Sequence, residues 1–268
     1  MSAEEHPPTG PESDEAPLVF EQPLNERMRT FLRMDFLYNQ ARYQNERASQ
    51  WGSRAAVGSL IDMLAVAGRG DVRSDVLKEL ERHLTQLNDF ANRAGVDSAR
   101  LRAVIANLVR LRGELFATGP AYLQPMRDSE FLHAVKLRSA IPGGTCEFDL
   151  PDYFFWLNQD TRSRLEAFEG WLAVFRPLCE AIAEVLWLTR QNGRVRDEVA
   201  VGGNFNLSFE RDSPVQLLRI LLPPSAGLYP ETSGSQHRCS VRFLHWNGLL
   251  QRPTQVHHDV HFQLMRCG

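Results

Sequence analysis

The chain has 268 residues, 43% of them hydrophobic and 24% charged, a globular composition that excludes disorder throughout. No run of about 18 uncharged apolar residues occurs, and the N-terminus opens with acids and prolines, so neither a spanning helix nor a secretory signal is expected. The formal net charge of −3 hides an asymmetry: residues 1–17 hold five acids and no Lys or Arg, and from Arg190 onward nine arginines face six acids.

Residues 1–17 combine those acids with Pro7, Pro8, Pro11 and Pro17, a composition that predicts a disordered acidic tail. From Asn25 to about Gln50, Met28, Phe31, Leu32 and Phe36 predict a first helix with Asn25 as its cap. Val57, Leu60, Ile61 and Leu64 predict a second over 54–67, ended by Gly68-Arg69-Gly70 through positive backbone dihedrals, with Arg69 exposed at the tip. Ser74 is the expected cap of a third helix, carrying Val76, Leu80, Leu84 and Leu87 and closed by Gly95, and Asp97 opens a fourth through Leu101, Ile105, Leu108 and Leu111. Such stripes predict an antiparallel bundle.

After a short helix near 129–138, Ile141-Pro142-Gly143-Gly144 reads as a turn, and Cys146, Phe148 and Leu150 alternate with acids, which predicts a strand. A long helix is expected over 160–191, kinked or divided by Pro177. Beyond Gly193, alternation at Phe205/Leu207/Phe209, Leu218/Ile220/Leu222, Cys239/Val241/Phe243 and Val256/Val260/Phe262/Leu264 predicts an antiparallel sheet with one face buried. The fold class expected is α+β. Its parts are a helical domain (18–128 and 160–192), a β-domain (129–159 and 193–268) and the tail.

If Cys239, Val241 and Phe243 point into a core, Arg238 and Arg242 share the opposite face. Four residues at roughly 3.3 Å each set their backbones about 13 Å apart, a spacing that suits two anionic groups on one peptide. His257, Asp259 and His261 share a strand parity and supply metal-ligand chemistry without a confirming third histidine, while His258 falls on the apolar side as a core histidine. No Gly-x-Ser-x-Gly occurs. Gly202-Gly203 reads as a turn between strands, because no Lys-Ser/Thr pair follows it. Cys146, Cys179, Cys239 and Cys267 are dispersed, with no Cys-x-x-Cys, and are expected to be reduced thiols.

The stretch Phe20-Glu21-Gln22-Pro23-Leu24-Asn25-Glu26-Arg27-Met28-Arg29-Thr30-Phe31-Leu32-Arg33 resembles the start of the bacterial cell division ZapD family. So do Arg69-Gly70-Asp71-Val72-Arg73 with Leu77-Lys78-Glu79-Leu80, and Ile141-Pro142-Gly143-Gly144 with Phe148-Asp149-Leu150-Pro151. The likeness weakens through Tyr229-Pro230 and Arg238 to Phe243, covering about 18–245. The resemblance implies a homodimer that binds the C-terminal tail of the tubulin-like protein FtsZ and cross-links its filaments, in the cytoplasm at midcell. It implies no catalysis, no cofactor or metal, and no nucleic-acid or membrane partner. Arginines matching its basic pocket are Arg69, Arg238 and Arg242, with Arg196 and Arg33 matching further basic positions. Two rival readings use the C-terminal segment: a metal-dependent enzyme at His257, Asp259 and His261, and a nucleic-acid binder on the arginine face, which the modest positive charge disfavours.

Overall fold

A computed structural model describes residues 16–91 and 97–268. In chain order the elements are β1 (Leu18–Pro23), α1 (Glu26–Glu46), α2 (Gln50–Ala67), α3 (Val72–Ala91), α4 (Ser98–Ala117), α5 (Gln124–Arg127), α6 (Glu130–Ser139), α7 (Pro151–Leu157), α8 (Thr161–Gln191), β2 (Arg194–Ala200), β3 (Asn204–Ser208), β4 (Leu217–Leu222), β5 (Leu228–Gly234), β6 (Arg238–His245), β7 (Thr254–Gln255) and β8 (Val260–Cys267). The class is α+β, as expected. Two units divide the chain: residues 16–25 with Thr189–Gly268, and Glu26–Leu188. The expected disordered tail and the expected close of the third helix at Gly95 lie outside the described residues, the tail reaching into them only at Ala16 and Pro17.

The helical unit follows its apolar periodicity. Met28, Phe31 and Met34 of α1 are fully buried, as are Ala56, Val57, Leu60 and Met63 of α2, so each helix turns one stripe inward. Helix α2 begins at Ser49, whose hydroxyl accepts from the Gly52 N–H at 2.9 Å. It ends at Gly68 with φ −84. The expected positive dihedrals at this turn are absent, because the Gly68 N–H already bonds the Leu64 carbonyl in right-handed geometry. Ser74 is also not the cap of α3: Asp71 holds that place and accepts from the Ser74 N–H at 3.0 Å, since a carboxylate one turn earlier reaches the free amide. Asp97 caps α4 as expected. Helix α8 runs unbroken through Pro177.

The expected strand at Cys146–Leu150 is a series of turns. Gly144 N–H bonds Ile141 O, Cys146 N–H bonds Gly143 O and Leu150 N–H bonds Cys146 O, so these backbone groups are satisfied locally and none is left for a ladder. Pro151 then opens α7. Phe131 and Trp156 close on Trp171 of α8, with ring centroids 5.9 Å apart for Phe131 and Trp171 and 5.7 Å for Trp156 and Trp171, and Tyr153 stacks on Trp156 at 6.0 Å. Arg54 of α2 lies 5.1 Å from the Tyr153 ring centroid and donates to Thr145 O at 2.8 Å. These contacts seat residues 129–159 in the helical unit and not in the β-unit.

The β-unit contains two antiparallel sheets where one was expected, in the orders β1-β4-β8-β2 and β3-β6-β5, with β7 on β6. They share one core, in which Ile220, Leu222, Leu264 and Phe262 of the first sheet meet Cys239, Val241 and Phe243 of the second. Strand β1 supplies an edge that the sequence reading assigned to the helical domain. It pairs with β4, Glu21 opposite Arg219, and Glu21 also takes a bidentate bond from Arg190 at 2.8 Å for each oxygen. Gly202 and Gly203 do form the turn between β2 and β3, with φ of 54 and 75.

On α3, Glu79 is buried and receives Arg27 of α1 together with Arg82 Nε at 2.7 Å. His83, 2% exposed, sits beside them. Burial first, then the Arg82 charge, hold its imidazole down to about 4, against the opposing pull of Glu79. The unfolded chain binds a proton on this ring near pH 6.5 and the folded chain refuses it until about pH 4. Stability is therefore unaffected above pH 7 and falls between those values, by about 3 kcal/mol in total. His83→Gln should flatten this part of the urea-unfolding stability profile between pH 7 and 4, and a profile parallel to the parent's would show that His83 does not cause the slope. At the β2–β3 turn, a Cβ on Gly203 would run into the Val256 carbonyl. Gly203→Ala should cost more than about 1 kcal/mol in denaturant unfolding, whereas an unchanged midpoint would mean the turn relaxes freely.

Candidate functional site

The alternation of β6 is complete. Cys239, Val241 and Phe243 are 2%, 1% and 0% exposed, and Arg238, Ser240 and Arg242 face solvent. In register, Arg242 stands between Asn204 of β3 and Glu231 of β5, Ser240 between Asn206 and Ser233, and Arg238 opposite Ser208. The outward face of this sheet is thus a field of short polar side chains with two arginines near its ends. Short neighbours leave the guanidinium plane of Arg238 open to a ligand. The Arg238 side chain has no hydrogen-bond or ion-pair partner among the described residues, while Arg242 pairs with Glu231 across strands, both about half exposed. An incoming carboxylate must compete with Glu231 at Arg242 and meets no such competitor at Arg238.

Arg196 belongs to the other sheet. On the edge strand β2 it pairs in register with Leu264 and is exposed, so it does not share the face of Arg238 and Arg242. Within the helical unit, Arg69 stands exposed just past α2, and its side chain has no partner among the described residues. Arg33 lies on the exposed stripe of α1 that also carries Phe36 and Tyr43, again with no partner among the described residues. The parity argument therefore locates the β6 pair correctly, and the turn argument the exposure of Arg69.

Two expectations for the C-terminal histidines are corrected. Strand β8 begins at Val260, so His257 and Asp259 lie in the preceding loop and only His261 is on the strand. Asp259 accepts from the Gly202 N–H at 2.8 Å, which makes its carboxylate a staple for the glycine turn. His258 is exposed instead of buried, its ring 6.0 Å from that of His245, because the loop breaks the parity that connects Val256 to Val260. Among the described residues no group of three or more His, Cys, Asp or Glu side chains is placed to hold a metal ion, and no helix is long and apolar enough to cross a membrane. The cysteines are unpaired thiols. Burial raises the thiols of Cys239 and Cys267 to about 11 and that of Cys179 well above its ordinary value, which keeps them from acting as thiolates near neutral pH.

Comparison with known proteins gives one result. The family model described as the cell division protein ZapD matches residues 32–242. The cell division protein ZapD of Methylococcus capsulatus (strain Bath) is 39% identical over 251 residues, covering 93% of this chain and 98% of that relative. Those of Janthinobacterium sp. (strain Marseille) and Dechloromonas aromatica (strain RCB) are 34% and 33% identical, each covering 94% of this chain and 99% of the relative. The likeness is wider than the span 18–245 carried by the motifs.

Because Arg238 and Arg242 are exposed and the Arg242–Glu231 pair is a surface pair, their combined replacement by alanine should change the unfolding free energy by less than about 1 kcal/mol. Thermal or denaturant unfolding of Arg238→Ala/Arg242→Ala checks this. A larger loss would mean that the two side chains support the sheet and are not free for a ligand.

Proposed function

The chain belongs to the ZapD family of cell division proteins, and on that premise we propose that it binds the C-terminal tail of FtsZ and, as a homodimer, cross-links FtsZ filaments into bundles at the division site in the cytoplasm. The observation that carries this reading is the outward face of β6, where two arginines about 13 Å apart stand among Asn and Ser side chains, with Glu231 beside Arg242. Arg69, Arg196 and Arg33 are further contact candidates. The action is non-enzymatic, a matter of binding and geometry.

A flexible acid-containing tail brings carboxylates to guanidinium groups already held by a sheet, so the ordering cost falls mostly on the tail. Each site is consequently modest in affinity. Two sites on one dimer, meeting a polymer that displays many tails, gain through effective concentration, which joins filaments while single contacts still exchange. Exposed charge pairs are screened by salt, so the interaction should weaken as ionic strength rises.

The test is light scattering with sedimentation of GTP-assembled FtsZ plus this protein, using full-length FtsZ, FtsZ lacking its C-terminal tail, and the Arg238→Ala/Arg242→Ala variant. Bundling should require the tail, fall with added salt, and be lost or severely reduced in the variant. Bundling that persists without the tail moves the contact elsewhere on FtsZ, and absence of bundling by the parent protein overturns the reading.

A further inference from the structure

In the helical unit a groove of about 450 Å³ opens between the end of α2 and the α5–α6 segment. Its floor is apolar: Ile61, Met126 and Leu132 are at most 8% exposed, with Leu64 and Ala65 partly buried beside them. Its rim is basic. Arg69, Arg127, His133 and Lys136 are all exposed, and no acidic residue lines the groove. Local structure explains the arrangement, since Ser129 caps α6 and turns Leu132 and Val135 inward. His133 and Lys136, three residues apart, then lie together on the side toward solvent.

A second hollow of about 420 Å³ adjoins the first and shares Gly68, Arg69 and Arg127 with it. Its one acidic lining residue, Asp71, has its carboxylate engaged by the Ser74 N–H. Arg73 is held by the carbonyls of Leu115 and Phe116 at 3.0 and 2.8 Å. Arg127 makes one long bond to Ala67 O at 3.4 Å, which leaves most of its donors open. Neither Arg69 nor Lys136 has a side-chain partner among the described residues. Three permanent cations thus border an apolar trough with no counter-charge in its lining, and the volume lies within the range that takes a compact ligand.

We propose that this groove is a second docking element for an acidic peptide, taking one of its aliphatic side chains onto the Ile61–Leu64–Met126–Leu132 floor while flanking carboxylates meet Arg69, Arg127 and Lys136. The inference rests on the reading of this protein as a binder of the FtsZ tail and adds an apolar anchor to the arginine contacts. Charge complementarity selects an acidic partner. The buried floor supplies the part of the affinity that salt does not screen.

The experiment is fluorescence anisotropy of a labelled FtsZ C-terminal tail peptide, and of the same peptide with its aliphatic residues replaced by serine, against the full chain. Ala65→Phe fills the trough and keeps every charge, and Lys136→Glu reverses a rim charge and keeps the floor. Each should weaken binding of the natural peptide by about tenfold. The serine-substituted peptide should be insensitive to Ala65→Phe while remaining sensitive to Lys136→Glu. If both variants bind like the parent while Arg238→Ala/Arg242→Ala loses the peptide, the groove is not a docking element and the arginine reading stands. A parent chain that does not bind the tail peptide overturns that reading and the groove together. Should Ala65→Phe fail to fold by circular dichroism, Lys136→Glu with the two peptides decides the matter.

Discussion

Strand β6 is under a constraint that the β-unit cannot escape. It is the central strand of its sheet, paired on both sides, and its alternate residues Cys239, Val241 and Phe243 fill the space between the two sheets. A shift of one residue would drive Arg238, Ser240 and Arg242 into that core and expose Phe243, at a cost no surface contact could offset. Core packing therefore sets the direction of the arginines. The outward face is as rigid as the interior that opposes it, and a ligand meeting it encounters charges whose spacing comes from the ladder and not from loop conformation.

The helical unit reaches a comparable result by other means. Glu79 joins α3 to α1 through Arg27 and is shared with Arg82 on its own helix, and the neutral His83 fills the space alongside. A buried carboxylate with two guanidinium partners is costly to break, so it favours one register of the helices. At the start of α3, Asp71 spends its charge on the helix N-terminus, and Arg73 reaches the last carbonyls of α4. The acid nearest to Arg69 in sequence is thereby engaged, and the Arg69 side chain has no partner among the described residues.

How far the sequence could be read depended on where backbone hydrogen bonds had to be satisfied. Long helices with a continuous stripe, α1, α2, α4 and α8, were legible because every turn repeats the signal, and β3, β4, β6 and β8 because each has a buried side. Edge strands hid. Strand β2 is mostly charged, β5 carries Pro230 and Gly234, and β1 exposes Leu18 and Val19, so none shows alternation of hydrophobicity. The opposite error at Cys146–Leu150 arose because five residues of alternation fit a chain of turns equally well, and Phe148 is in fact 82% exposed. Parity gave Arg238 and Arg242 correctly within one unbroken strand and failed for His258, where a loop interrupts the count. Arg127 and Lys136 left no local signal at all, since their proximity to Arg69 exists only once α5 and α6 have packed beside α2.

The cross-strand pair between Arg242 and Glu231 bears on how strongly such a face can hold a partner. A carboxylate arriving at Arg242 replaces one that is already there, so the number of ion pairs at that position is conserved and the gain is only the difference between two exposed contacts. At Arg238 the contact is new, but it is solvent-exposed and screened. A face built this way discriminates by charge and spacing while keeping each contact weak. Under the proposed cross-linking function the combination is consistent: strong single sites would freeze filaments in the first arrangement they met, whereas weak paired sites would let a bundle rearrange while many contacts together hold it.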